Sequence, residues 1–114
     1  MKRDWLIVAA ALSGAIAIGA GAFASHGASG TARELLKTGG LYQMVHAVAA
    51  VALIDRARRP AWLMLAGAAV FAFSLYALAL GAPRIAGAIT PFGGMGMIAG
   101  WLWLSFARRP GRKR

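Results

Sequence analysis

The sequence predicts an all-α integral membrane protein, a four-helix bundle with both termini cytoplasmic, and three observations predict it. The first is four long stretches without a charged residue: 28 residues from Trp5 to Ala32, 17 from Thr38 to Ile54, 24 from Pro60 to Pro83 and 23 from Ile85 to Ala107. A helix rises about 1.5 Å per residue and the hydrocarbon layer is about 30 Å thick, so about 20 residues cross it. The second is composition: 60% of the 114 residues are hydrophobic, three are acidic and none is cysteine, which excludes an ordinary soluble domain and makes 1–114 a single membrane domain. The third is where the charge sits. Lys2, Arg3, Arg56, Arg58, Arg59, Arg108, Arg109, Arg112, Lys113 and Arg114 account for ten of the thirteen basic residues and fall at the two ends of the chain or between the second and third runs. Basic residues flanking spans are retained on the cytoplasmic side, and four spans put both termini there. The net charge of +10 is thus a topology signal and an attraction for a lipid bilayer with anionic headgroups, not a nucleic-acid interface.

Spans are expected at about residues 5–24, 38–54, 61–81 and 87–106. The first begins after Lys2-Arg3 and reaches Ala22-Phe23-Ala24, imitating a cleaved signal peptide. Its apolar run is longer than a signal h-region, and retention is expected. Gly14, Gly19 and Ala20 are candidate helix-packing positions, since Ala15 with Gly19 and Ala20 with Ala24 give the small-xxx-small spacing that lets backbones approach. This half of the helix should be buried against a neighbour. Between His26 and Gly40, Thr31 and Glu34 have capping-box spacing, and Gly39-Gly40 can end or bend a helix. A short interfacial helix between the first and second spans is expected, with an outward extension of the second span as the alternative.

The second span is the shortest and relies on Lys37 and Arg56 reaching out to the headgroups. It carries Tyr42-Gln43-Met44-Val45-His46, three hydrogen-bonding side chains inside an uncharged run. At about 100° per residue, Tyr42, His46, Ala49, Ala50 and Leu53 share one face with Gln43 at its margin, and Leu41, Val45, Val48 and Ala52 lie opposite. Buried polar groups need partners, so the polar face should point into the bundle. The third span brings Ser74 and Tyr76 toward its outer end. In the fourth, Thr90 caps a helix with Pro91 in its first turn, or Pro91 kinks a continuous one. Gly93, Gly94, Gly96 and Gly100 mark its close-packing side, while Trp62, Trp101 and Trp103 fit an interfacial aromatic belt. Together His26, Tyr42, Gln43, His46, Ser74, Tyr76 and Thr90 form a candidate polar interhelical cluster.

Four segments in order, Gly19-Ala20-Gly21-Ala22-Phe23-Ala24-Ser25-His26-Gly27, Tyr42-Gln43-Met44-Val45-His46-Ala47, Phe73-Ser74-Leu75-Tyr76 and Ile89-Thr90-Pro91-Phe92-Gly93-Gly94, resemble the YgdD-like small membrane proteins. That group carries domain of unknown function 423 and is related to mitochondrial transmembrane protein 256. Its members usually have Gly-Ala-His-Gly where this chain has Ala24-Ser25-His26-Gly27, and a further glycine in the region where this chain passes from Ser74 to Leu75. The resemblance implies a four-helix protein of the bacterial inner membrane and no particular activity.

The acids Asp4, Glu34 and Asp55 all fall near membrane surfaces, so neither a paired-carboxylate site nor a Ser-His-acid triad assembles within the spans, and no enzyme is expected. No cofactor is expected either. The leading expectation is an accessory, assembly or interaction subunit of a larger membrane complex, partnered by its own copies or another membrane protein. The alternative is a homo-oligomeric pore or transporter-like protein for protons or a small solute, using the Tyr-Gln-His face. A third is a metal- or haem-binding protein in which His26 and His46, with Met44, Met95 and Met97 nearby, supply imidazole and thioether ligands.

Overall fold

Local devices set both ends of the first helix, the starts of the second and fourth and the end of the third. The computed structural model describes residues 2–108, so Arg109, Arg112, Lys113 and Arg114 of the basic tail lie outside the described residues. Helix α1, Trp5–His26, starts where Asp4 turns extended and its carboxylate accepts a hydrogen bond from the Leu6 amide at 3.0 Å. It ends at Gly27, whose N–H donates to the Phe23 carbonyl at 2.7 Å. Helix α2, Gly30–Ala52, follows extended Ser29, and its first residue holds φ +60°, a left-handed value that glycine adopts without the penalty other residues meet. Helix α3, Arg58–Ala79, closes in a Schellman motif: Gly81 takes φ +100°, its N–H donates to Leu78, and the Ala82 N–H donates to Ala77 at 2.9 Å. A 3-10 turn over Arg84–Ala88 then leads into helix α4, Thr90–Ser105, with Pro91 in the first turn, where no amide donor is lost.

Each charge-free run contributes one helix, but α2 starts eight residues before the second run and takes in Arg33, Glu34 and Lys37. No separate interfacial helix stands between the first two spans, because α2 is continuous through Gly39-Gly40. Thr31 and Glu34 form no capping box, since the helix starts earlier, at Ser29 and Gly30. The two glycines are spent on packing instead of termination. A Cβ on Gly40 would stand 3.2 Å from the Ala17 carbonyl of α1, and one on Gly39 would stand 2.7 Å from the Tyr76 ring of α3.

Consecutive helices run antiparallel. Leu6 and Ala10 of α1 cluster with Ala47 and Ala50 of α2 and with Ala61 and Leu65 of α3 near one end, and Ala24, Leu36, Ala72 and Tyr76 cluster near the other. Among the described residues, α1, α3 and the segment Arg84–Ser105 are long and apolar enough to cross a membrane by themselves. Helix α2 falls short because Arg33, Glu34 and Lys37 occupy its first turns and Tyr42, Gln43 and His46 its middle. Its position compensates, since it lies between α1 and α3 and its Gln43 and His46 are buried. The bundle is open: among the described residues, α4 meets the backbone of α3 and the preceding turn but not that of α1 or α2. The cross-section is accordingly flat, 29 by 20 Å.

Lys2, Arg3, Arg56, Arg58, Arg59 and Arg108 gather at the end where α1 and α3 begin, the basic end. There Arg58 donates from both terminal nitrogens to Asp4, at 3.0 and 3.1 Å, joining the start of α3 to the start of α1. The guanidinium, helped by the Leu6 amide, holds the Asp4 carboxyl below the usual carboxylate range. A carboxyl depressed by folding contributes stability above its ordinary pKa and loses that contribution as pH falls through the folded value. Melting of detergent-solubilised protein should therefore become easier below about pH 4. In Asp4→Asn this component of the acid sensitivity should be absent, and an identical pH profile for both proteins would contradict the assignment.

Candidate functional site

The interior polar side chains fall into three hydrogen-bonded pairs, one at each of three helix contacts. Helix α2 presents Gly39, Gly40, Gln43, His46, Ala47 and Ala50 inward, so the buried face centres on Gln43. Tyr42, expected on that face with Gln43 at the margin, stands at its edge, 43% exposed, with its ring edge-on to Phe71 at 5.0 Å between centroids. The expected lipid face of Leu41, Val45 and Val48 is exposed. The rotation follows from size, because the helices approach most closely where Gly39 and Gly40 lack side chains, and Gln43 is one turn along from them.

At the α2–α3 contact the Tyr76 hydroxyl donates to Gln43 Oε1 at 2.7 Å. Gly39 makes this bond possible, since its missing side chain is the space the Tyr76 ring fills. Gln43 is 1% exposed, and its Nε2 finds no acceptor among the described residues. At the α3–α4 contact Ser74 donates to its own helix at Phe71 O, 2.7 Å away, which consumes its single proton. The second bond, 2.5 Å to Thr90, therefore has Thr90 Oγ1 as donor. Thr90 thus pins the start of α4 to α3 instead of capping its own helix.

The third pair joins α2 to α4. Trp101 Nε1–H can only donate, and it lies 3.0 Å from His46 Nε2, which must accept. His46 Nδ1 lies 2.7 Å from the Tyr42 carbonyl, which can only accept, so Nδ1 carries the proton. Both ring nitrogens are thereby used in one tautomer, the Nδ1–H form. Nitrogen NMR of His46 should show that tautomer, and an Nε2–H spectrum in the wild-type protein would contradict the assignment. Trp101, expected in the interfacial belt, exposes its ring while its N–H reaches inward, a role that tryptophan's amphipathic shape permits.

His26 is not part of this arrangement. It is exposed at the last turn of α1. Ala24 clusters with Leu36, and His46 lies a further ten residues along α2, about 15 Å away by helical rise. The two histidines therefore do not converge, and His46 has no free nitrogen to offer a metal. Among the described residues no three of His, Cys, Asp and Glu come together. Glu34 and Asp55 are exposed, whereas His46 and Ser74 are buried.

The packing glycines divide in the same way. Gly93, Gly96 and Gly100 lie against α3, where their partners are Gly67, Phe71 and Met64, and Gly94 touches only the Phe71 ring edge. Gly67, overlooked in the sequence because no second glycine stands at its spacing in the third run, is the centre of that contact. Gly14 meets Met44, and Ala20 packs beside Gly40. Gly19 was expected to be buried and is not: nothing lies within 4 Å of where its Cβ would be. With Ala11, Ala15 and Ala22 it forms an exposed small-residue stripe on α1.

Residues 20–94 match the model of a family described as a protein of unknown function (DUF423). The chain is 38% identical to the UPF0382 membrane protein SERP0230 of Staphylococcus epidermidis, over 89% of this chain and 92% of the relative. It is 33% identical to the UPF0382 membrane protein YwdK of Bacillus subtilis, over 89% and 93%. With the UPF0382 inner membrane protein YgdD of Escherichia coli the identity is 36%, over 89% and 86%. No solved structure matches the chain.

Proposed function

The chain belongs to the DUF423 family of membrane proteins, and from that premise we propose that it works by association, as an accessory or assembly subunit of a larger inner-membrane complex. The observation that carries this reading is the division of labour between the faces of the helices. Polar side chains in the interior are tied to one another, whereas α1 turns the stripe Ala11, Ala15, Gly19 and Ala22 away from its own chain. Small residues at such spacing on a membrane helix allow close approach of a second helix, where lipid chains gain little by comparison. The open edge at α4 adds a further surface that the described residues do not cover. On this reading the protein catalyses nothing, and both termini are cytoplasmic, supported by the six described basic residues at the basic end against Arg33, Lys37 and Arg84 at the other.

Photo-crosslinking tests the assignment of the face. A photoreactive side chain at Gly19, in cells, is expected to trap a discrete membrane-protein partner, while the same group at exposed Ile18, off the stripe, traps none. Equal trapping from both positions, or none from Gly19, would set the proposal aside. A ladder made only of this chain would favour the homo-oligomeric pore instead.

A further inference from the structure

We propose that the basic end carries a binding site for the phosphate headgroup of one anionic phospholipid, set between the starts of α1 and α3. A cavity of about 530 Å³ there is lined by Lys2, Arg3, Asp4, Trp5, Arg58 and Trp62. Three cations face one carboxylate, and that carboxylate is already engaged: both Asp4 oxygens bond Arg58, and Oδ1 also accepts from the Leu6 amide. Lys2 and Arg3 have no acidic partner among the described residues, so the cavity retains positive charge that an anion would neutralise. The Asp4 contact also fixes the Arg58 side chain, and with Nη1 donating in addition to the Ile54 carbonyl at 3.4 Å, its Nε–H and second Nη2–H stay available to a phosphate oxygen.

The lining identifies a lipid in preference to free phosphate. Trp5 is 65% and Trp62 41% exposed, and each places an indole beside the cations at the level where an apolar helix meets the headgroup layer. An ion would leave those rings uncovered, whereas the glycerol and upper acyl chain of a phospholipid would lie against them. A second basic cavity of about 450 Å³ lies between the ends of α2 and α4, with Arg56 and Arg108 among its lining but no tryptophan, which makes it an internal control.

The test uses the full chain in a non-ionic detergent, titrated with short-chain phosphatidylglycerol, short-chain phosphatidylcholine or inorganic phosphate. Tryptophan fluorescence follows binding and native mass spectrometry counts the bound lipid. Phosphatidylglycerol is expected to saturate at one per chain, with neither of the other two competing at the same concentration. Lys2→Ala with Arg3→Ala should weaken binding on the order of tenfold. The charge-conserving pair Lys2→Arg with Arg3→Lys should retain it, as should Arg56→Ala with Arg108→Ala. Trp62→Leu keeps every charge and should also weaken binding. Equal binding of phosphatidylcholine, competition by inorganic phosphate, or undiminished binding in both the double alanine and Trp62→Leu variants overturns the proposal.

Discussion

Gly93→Val is expected to detach α4 from α3 and to be among the most damaging single substitutions in the chain. A Cβ at position 93 would run into the Phe71 amide nitrogen and stand 2.7 Å from the Gly67 carbonyl. At position 67 it would stand 2.7 Å from the Met97 nitrogen and 2.9 Å from the Gly93 carbonyl. These obstacles are backbone atoms of a neighbouring helix, which cannot rotate aside as a side-chain tip can. Overpacking of a tight contact costs roughly 1–3 kcal/mol, and a backbone obstacle places this case at the upper end. The Ser74–Thr90 bond at the top of α4 and the Trp101–His46 bond lower down would be strained or lost with it. Reversible unfolding in mixed micelles, comparing Gly93→Val and Gly67→Val with Gly19→Val, is the measurement. Strong destabilisation by the first two and little by the third is expected for the isolated chain. Equal effects at all three positions would contradict the α3–α4 contact described above.

The second large effect is expected at Gln43 and Tyr76, where it should depend on which partner is removed. Tyr76→Phe leaves a fully buried amide without its hydrogen-bond donor, on a residue whose Nε2 already has no acceptor. An unmet buried polar group costs about 1–3 kcal/mol, whereas the hydrogen bond itself contributes nearer 1 kcal/mol because the unfolded chain also finds partners. Gln43→Leu leaves the buried Tyr76 hydroxyl without its acceptor but removes the unpaired Nε2 together with Oε1, so its cost should be smaller. The double variant should be close to the wild type in stability, since an apolar contact replaces the polar one. Strict additivity in this cycle would show that the two side chains do not interact.

Much of the architecture was legible because the bilayer imposes a length on each helix. Runs free of charge from Trp5, Thr38, Pro60 and Ile85 each became a helix. What the runs could not show was the work done by individual glycines. Gly39-Gly40 resembles a helix stop in isolation and is a packing surface in the fold, because whether a glycine ends a helix depends on what lies beside it. The same dependence explains the rotation of α2. Periodicity alone grouped Tyr42 with His46, and the missing side chains at Gly39 and Gly40 drew Gln43 to the centre. Ser74 and Tyr76 are buried and Thr90 is half-buried, yet they pair with different helices instead of forming one cluster. Trp101 and Asp4 were read from type and position along the chain, and their partners His46 and Arg58 lie 55 and 54 residues away in sequence. No local signal carries a pairing of that separation.

Association is the central claim, and native mass analysis of the protein after gentle extraction from its own membrane tests it most directly. The account predicts a heteromeric assembly of defined stoichiometry that dissociates when Ala15 and Gly19 are both replaced by leucine, in a chain that still folds. A monomer, or a ring of identical chains unaffected by those replacements, would contradict it.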